Sequence, residues 1–153
     1  MRKIVVLFFM MMAVMACDKP SRVAQYRAEK HAQDSIRLEE QQRSLVYYES
    51  QLEPLTAQAD SLLPLFKYEK NEKYQDHGFY VLTGRNGVRI LVRDDGHDLL
   101  IYKEGKRIET INDPQLERAE HLQIVIRDIK ECEKRIARTS LEVQKYEKRL
   151  QKQ

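Results

Sequence analysis

Residues 122–150 read LQIVIRDIKECEKRIARTSLEVQKYEKRL, and their larger or less polar side chains recur at alternating spacings of three and four. The repeating positions are Leu122, Val125, Ile129, Cys132, Ile136, Thr139, Val143, Tyr146 and Leu150. This spacing averages about 3.5 residues, the period of a coiled-coil seam, and charged residues of both signs fill the positions between. Asp113 followed by Pro114 is typical of a helix start. The stretch therefore predicts a helical arm over 114–152.

The same rhythm occurs earlier in the chain, with a polar interruption at Gln41. Its positions are Leu38, Leu45, Tyr48, Leu52, Leu55, Ala59, Leu62 and Phe66. We expect a first helical arm over 36–68. Pro54 and Pro64 should kink or segment this arm, because a proline inside a helix removes a hydrogen bond and clashes with the preceding turn.

Two apolar seams of equal length in one chain favour an antiparallel pair of arms. Neither seam could stay exposed to water, so each needs the other as a cover. In this arrangement Leu38 lies near Leu150, and Phe66 lies near Leu122. Polar or small residues on the seams leave open a second interpretation, in which a partner helix or a second copy of the chain completes the core.

Between the arms the pattern changes to short β-branched and aromatic runs, HGFYVLTGRNGVRILVRDDGHDLLIYKEGKRIETI over 77–111. Asn86-Gly87 and Asp95-Gly96 are strong signals for two-residue hairpin turns, and Glu104-Gly105 is a weaker one. We therefore expect an antiparallel β-meander over 78–111. Its four strands are predicted at 78–85, 88–94, 97–103 and 106–111. The predicted fold is α+β: an antiparallel, coiled-coil-like helical hairpin with a four-stranded meander inserted between its arms.

One face of the meander should be apolar. Val88, Ile90 and Val92 alternate with Arg89 and Arg93, so the valines and the isoleucine share a face. A small sheet needs another surface to pack on. The predicted surface is the helix ends near Phe66, Tyr68 and Leu122.

The chain begins with MRKIVVLFFMMMAVMACDKP. Arg2 and Lys3 precede an apolar run over 4–15 that is too short to span a membrane, which takes about 20 residues. A short positive segment followed by such a run is typical of a secretory signal peptide. We expect residues 1–16 to be cleaved from the mature protein.

The run ends in Val14-Met15-Ala16-Cys17, which resembles the lipobox of bacterial lipoproteins. The resemblance implies that the Cys17 thiol is acylated and that acyl chains such as palmitate hold the protein in the cell envelope. Two or more chains are needed for stable anchoring. The layout is also loosely similar to small uncharacterised lipoproteins of the Bacteroidetes type, which supplies no activity. Whether the membrane is the inner or the outer one stays open.

Residues 17–35 should form the lipid anchor and a polar tether or exposed helical extension, since they carry no wide apolar stripe. With Cys17 lipidated, Cys132 is the one remaining thiol of the chain. No disulfide can then form within the mature chain. In an oxidising compartment Cys132 is either buried or paired with another molecule.

Several classes of function lack support. The net charge of +3 falls to +1 when Arg2 and Lys3 leave, so nothing favours nucleic acid as a partner. The four histidines show no metal-ligand spacing, and DDGHD over 94–98 fits a hairpin turn better than a calcium loop. No catalytic constellation or phosphate-binding glycine motif is visible. We expect no enzyme activity, no metal and no cofactor.

The stretch FKYEKNEKYQDHGFY over 66–80 interleaves aromatic residues with lysines. Such interleaving can bind polymers by stacking and charge, although acidic residues here offset the lysines. The candidate ligand or partner contacts are Tyr68, Lys70, Lys73, Tyr74 and Tyr80. Two hypotheses follow: a structural, spacer or interaction lipoprotein that contacts an envelope protein or its own copy, and a module that binds a peptide, glycan or envelope polymer through this junction.

Overall fold

The computed structural model describes residues 21–70 and 76–152. Helix α1 spans Arg22–Leu62 and helix α2 spans Pro114–Gln151. Five antiparallel strands lie between them in chain order, β1 Lys67–Lys70, β2 Gly78–Thr83, β3 Val88–Arg93, β4 Leu99–Lys103 and β5 Lys106–Ile108. The α+β prediction is confirmed, and the prediction of four strands is wrong. The leader over 1–16, Cys17, Lys73 and Tyr74 lie outside the described residues.

The additional strand is β1, which occupies residues predicted as the end of the first arm. Helix α1 ends before a 3-10 turn over Leu63–Leu65, and Phe66 after it has extended backbone. Pro64 inside this turn has no N–H to continue a helical ladder. The chain then pairs along the edge of β2, with Lys67 opposite Val81. The first arm is therefore shorter at this end than predicted.

At its other end α1 begins earlier than predicted. The Ser21 hydroxyl accepts a hydrogen bond from Ala24 N–H at 3.2 Å, which caps the first turn. Residues 17–35 are predicted to form a tether or a helical extension. From Arg22 onward they are helical. Every residue over 21–33 is exposed, so this extension has no covered face.

Pro54 lies inside α1 and does not interrupt it. The proline leaves the carbonyl of Ser50 without its helical donor. Both residues are on the exposed side of the helix, where water can bond to that carbonyl. Of the two effects predicted for Pro54, a kink or segmentation, the arm is not segmented there, and the helix ends before Pro64.

The two helices pack against each other, and every predicted seam residue on both is buried or half-buried. The Cys132 Sγ lies 3.1 Å from the Tyr48 carbonyl oxygen, and Arg149 Nη1 lies 3.9 Å from Asp34 Oδ1. The earlier residue of α1 therefore contacts the later residue of α2, so the two helices run antiparallel. Asp34, one turn before Leu38, takes the place beside the end of α2 that the predicted register gave to Leu38.

The sheet packs its inner face on the first half of α2. Val88, Ile90 and Val92 of β3 are buried there, as the alternation predicts. The buried cluster joins them to Leu82, Ile101, Ala119, Leu122 and Ile126, with Leu62, Leu63 and Phe66 at its margin. Phe66 and Leu122 contact the sheet as predicted. Tyr68 is 46% exposed on the edge strand and does not belong to this cluster.

The turns differ in kind. Asn86-Gly87 and Glu104-Gly105 have positive φ at both residues, as the turn signals predict. Asp95 does not have positive φ, and residues 94–98 form a longer connection in which Arg93 N–H donates to Asp98 O at 2.9 Å. The two-residue turn predicted at Asp95-Gly96 is therefore wrong.

Gly96 is where this connection touches α2. A Cβ at this position would lie 2.6 Å from Arg127 N and 2.7 Å from Gln123 O. Its φ of 73° is also unfavourable for other residues. Glycine thus allows the turn and the helix to approach closely.

Replacing Gly96 by alanine should lower the free energy of unfolding more than replacing Gly105 does. Both glycines have positive φ, which costs an alanine about 1–2 kcal/mol. At Gly96 the contact with Arg127 should add about 1–3 kcal/mol from overpacking, whereas nothing lies within 4 Å of a Cβ at Gly105. Urea unfolding followed by circular dichroism measures both losses. Equal losses would contradict the close approach.

Candidate functional site

A cleft lies between the β1–β2 edge of the sheet and helix α2. Tyr68 and Tyr80 are directly opposite each other on these strands, with ring centroids 5.2 Å apart and planes tilted by 57°. The cleft has a volume of about 670 Å³. Besides the two tyrosines it is lined by His77, Asp94, Asp95 and Lys130.

Asp94 holds one wall of the cleft together. Its Oδ2 accepts hydrogen bonds from Gly78 N–H at 2.7 Å and from the Tyr68 hydroxyl at 3.1 Å. Its Oδ1 lies 2.8 Å from His77 Nδ1. Burial acts to raise the pKa of Asp94, but these hydrogen bonds outweigh it and the pKa is lowered. The hydrogen bond from the Tyr68 hydroxyl to Asp94 is the main cause that raises the pKa of Tyr68.

Asp95 is held in a similar way from the turn. Its Oδ1 accepts from Arg93 Nε at 2.7 Å and from His97 N–H at 3.0 Å. Burial acts to raise the pKa of Asp95, and the hydrogen bonds outweigh it, so that the pKa is lowered. Arg93 also pairs with Asp98 at 2.6 Å. The turn therefore carries its acidic groups in contact with cationic or N–H partners.

His77 stands between the two carboxylates. Its Nε2 is 3.8 Å from Asp95 Oδ2, which is too long for a hydrogen bond. The arrangement offers aromatic faces, carboxylate oxygens and the Lys130 ammonium, which also pairs with Glu133 at 3.2 Å, to a ligand. In the part of the chain that the structure describes, no three His, Cys, Asp or Glu side chains are grouped to hold a metal.

The structure unites some of the predicted contact residues and separates others. Tyr68 and Tyr80 line the cleft together. Lys70 is exposed at the end of β1 and does not line it. Lys73 and Tyr74 are outside the described residues.

Sequence reasoning missed four residues of the cleft. His77 lies within the 66–80 stretch but was not predicted as a contact, and Asp94 and Asp95 belong to DDGHD, which was predicted only as a turn. Lys130 carries no signal, because it reaches the cleft only through the packing of α2 on the sheet. We interpret DDGHD as a turn whose carboxylates also form the wall of the cleft.

A second groove lies along the helix pair. Gln41 and Thr139, the polar positions of the two seams, both line it, and its volume is about 610 Å³. The Arg135 guanidinium lies 5.6 Å from the centroid of the Tyr48 ring and donates to the Tyr48 hydroxyl at 3.4 Å. The pKa of Arg135 is raised, first by its hydrogen bond to Glu131. The polar interruptions of the two seams thus face the same groove.

The Asp94→Asn variant should be less stable than the parent at pH 7, by about 1–3 kcal/mol, because its hydrogen bonds lose their charged acceptor. The pKa of Asp94 is lowered in the folded chain from its ordinary 3.8. Its charge therefore adds stability above the unfolded pKa, and that stability is lost as the pH falls through the folded pKa. Asparagine resembles the protonated carboxyl, so the loss should shrink below about pH 4.

Urea unfolding at pH 7 and at pH 3 measures the difference between the Asp94→Asn variant and the parent. Asp60→Asn, at an exposed position of α1, is the control and should change stability at pH 7 by less than about 0.5 kcal/mol. A loss at Asp94 that is the same at both pH values would show that the carboxylate charge does not stabilise the wall.

The chain matches no protein-family model, and comparison with curated proteins and with solved structures yields no match. What the protein does must therefore be inferred from its own residues and their arrangement.

Proposed function

We propose that this protein is a lipoprotein of the bacterial cell envelope, anchored at Cys17, which holds its small sheet away from the membrane as a spacer or interaction protein. The observation that carries the proposal is the unbroken helix α1. It begins at Arg22, shortly after Cys17, and leads directly into the sheet. At about 1.5 Å per residue, its 41 residues are about 60 Å long.

The return of α2 supports a role as a stiff arm. A single helix of this length bends readily, whereas two helices joined along a seam share side-chain packing over many turns. We infer that the two arms form a coiled-coil-like hairpin with the sheet at its far end. No helix in the described ranges 21–70 and 76–152 has the length and apolarity to cross a membrane.

A ligand-binding role for the Tyr68–Tyr80 cleft is the second candidate. It is favoured by the paired rings and by Lys130 at the opposite wall. We place it second because Asp94 and the Tyr68 hydroxyl already bond to each other, which leaves fewer groups for a ligand. The spacer depends on the length of the arms, whereas ligand binding in the cleft does not.

Replacing Cys17 by serine should abolish lipid labelling, because acylation requires the thiol. In a bacterial host given an alkyne analogue of palmitate, the parent should be labelled and sediment with membranes. The matched control is Cys132→Ser, at the buried thiol beside the Tyr48 carbonyl, where serine keeps a donor. The control should stay labelled, and a labelled Cys17→Ser chain would refute the anchor.

Shortening both arms by one heptad should disrupt contacts of the far end while the fold persists. Deleting 38–44 and 139–145 removes facing segments and keeps both seams in register, which shortens each arm by about 10 Å. The readout is in-cell crosslinking and mass spectrometry from Lys103 and Lys106. We expect crosslinks to an envelope partner to fall at least severalfold.

The control for this experiment is the parent chain with its arms intact and the same tip lysines. Circular dichroism of the shortened chain checks that helix and sheet remain. Unchanged crosslinks to the same partner in the shortened chain would contradict the spacer and favour the cleft as the functional part.

A further inference from the structure

The two ends of the sheet differ in charge. The end formed by residues 94–98 carries three aspartates, whose carboxylates contact Arg93 or His77. The opposite end carries exposed cations on the β2–β3 loop, on β5 and on the last residue of β4. We name Arg85, Lys103, Lys106 and Arg107 the cationic tip; all four are exposed.

The cationic tip lies at the end of the sheet that is farther from the start of α1. A Cβ at Gly84 would be 3.2 Å from the Asp113 carboxylate, at the N-terminal cap of α2. The opposite end of the sheet meets α2 near Arg127. Since α2 runs back toward the start of α1, the residues beside its cap are the more distant ones.

The charges of the tip are not neutralised by the described part of the chain. None of its four cations forms an ion pair with a residue in 21–70 or 76–152, whereas the neighbouring Arg89 is paired with Glu69 at 2.6 Å. Glu104, in the turn between β4 and β5, and Asp113, beside Gly84, are two acidic groups against four cations. The tip therefore presents an excess of positive charge to its surroundings.

The strand register destabilises the tip when no anion is bound to it. Lys103 and Lys106 are directly opposite each other across the β4–β5 turn, and like charges in that position are destabilising. On the adjacent row Tyr102 is directly opposite both Arg89 and Arg107. An anion bound between the lysines would relieve their repulsion.

The surroundings of the tip favour a charged polymer over a protein surface. Cores of protein interfaces are rich in aromatic and apolar residues and poor in lysine. Every large apolar side chain that is exposed in the described residues lies on the helices, in the turn after α1 or on β1. None lies in 84–107, so the tip offers charge without an apolar centre.

We propose that the cationic tip binds an anionic polysaccharide, a glycan bearing phosphate, carboxylate or sulfate groups. The inference deepens the proposed function and rests on it for one statement, that this end faces away from the anchoring membrane. Binding itself depends on charge and register alone. It should weaken steeply with salt, because the polymer releases its counterions when the protein binds.

The test measures binding of the full chain, in detergent, to dextran sulfate, with uncharged dextran as the blank. If four contacts form, affinity should fall roughly 50- to 150-fold between about 50 and 200 mM salt, by the slope known for nucleic acid phosphates. The variant Arg85→Gln, Lys103→Gln, Lys106→Gln, Arg107→Gln should bind at least tenfold more weakly.

A matched control removes the same number of arginines and lysines from exposed helix positions, as Arg27→Gln, Lys30→Gln, Arg37→Gln, Lys148→Gln. It should bind within twofold of the parent. Thermal unfolding provides a second readout: the tip variant should be at least as stable as the parent, because the repulsion between Lys103 and Lys106 is gone. Loss of stability would contradict the repulsion on which the proposal rests.

Three results overturn the proposal. Equal weakening by both quadruple variants would show that net charge, and not the tip, binds the polymer. Tip-dependent binding to vesicles containing phosphatidylglycerol without binding to dextran sulfate would identify a lipid surface. Crosslinks from Lys103 to an acidic protein, again without polymer binding, would identify a protein partner. Lipid labelling at Cys17 is measured separately, so failure of the anchor is distinguishable from failure of the tip.

Discussion

Helix α2 buries one continuous stripe of side chains, and two different partners cover it. In its first turns Ala119, Leu122 and Ile126 belong to the buried cluster of the sheet, and further along Cys132 contacts α1. Removing either partner would expose apolar surface of this 38-residue helix. The positions of the sheet and of the first arm are therefore both set by α2.

Polar residues within the helix pair define how the two arms align. Asp34 is 4% exposed and lies at the continuation of the α1 seam, within 3.9 Å of Arg149. Gln41 and Thr139 share one groove further along. A polar residue on a seam costs stability and specifies register, because a shifted alignment would bury it against apolar side chains. We infer that Asp34 and Gln41 favour this alignment over one shifted by a heptad.

The sequence predicts the seams and most of the sheet because their signals are local. Alternating spacings identify positions that are buried or half-buried on both helices, although not Asp34, Ala119 or Ile126. Val88, Ile90 and Val92 identify the inner face of β3. Strand β1 is not predicted, because its four residues include two lysines and a glutamate and have no strand pattern. They form a strand because they can pair with the edge of β2. Two of the six cleft residues are predicted: Tyr68 and Tyr80 carry a local signal, whereas Lys130 reaches the cleft only through tertiary packing.

The exposed turns of α1 over 21–33 have a mechanical consequence. A helix of about 12 residues is marginally stable without a partner, so this segment can bend or unwind where the paired arms cannot. In a chain tethered at Cys17 as proposed, it would act as a flexible joint between the lipid anchor and the paired helices. The paired helices could then change their tilt relative to the membrane, and the sheet would reach a range of positions in the envelope instead of one.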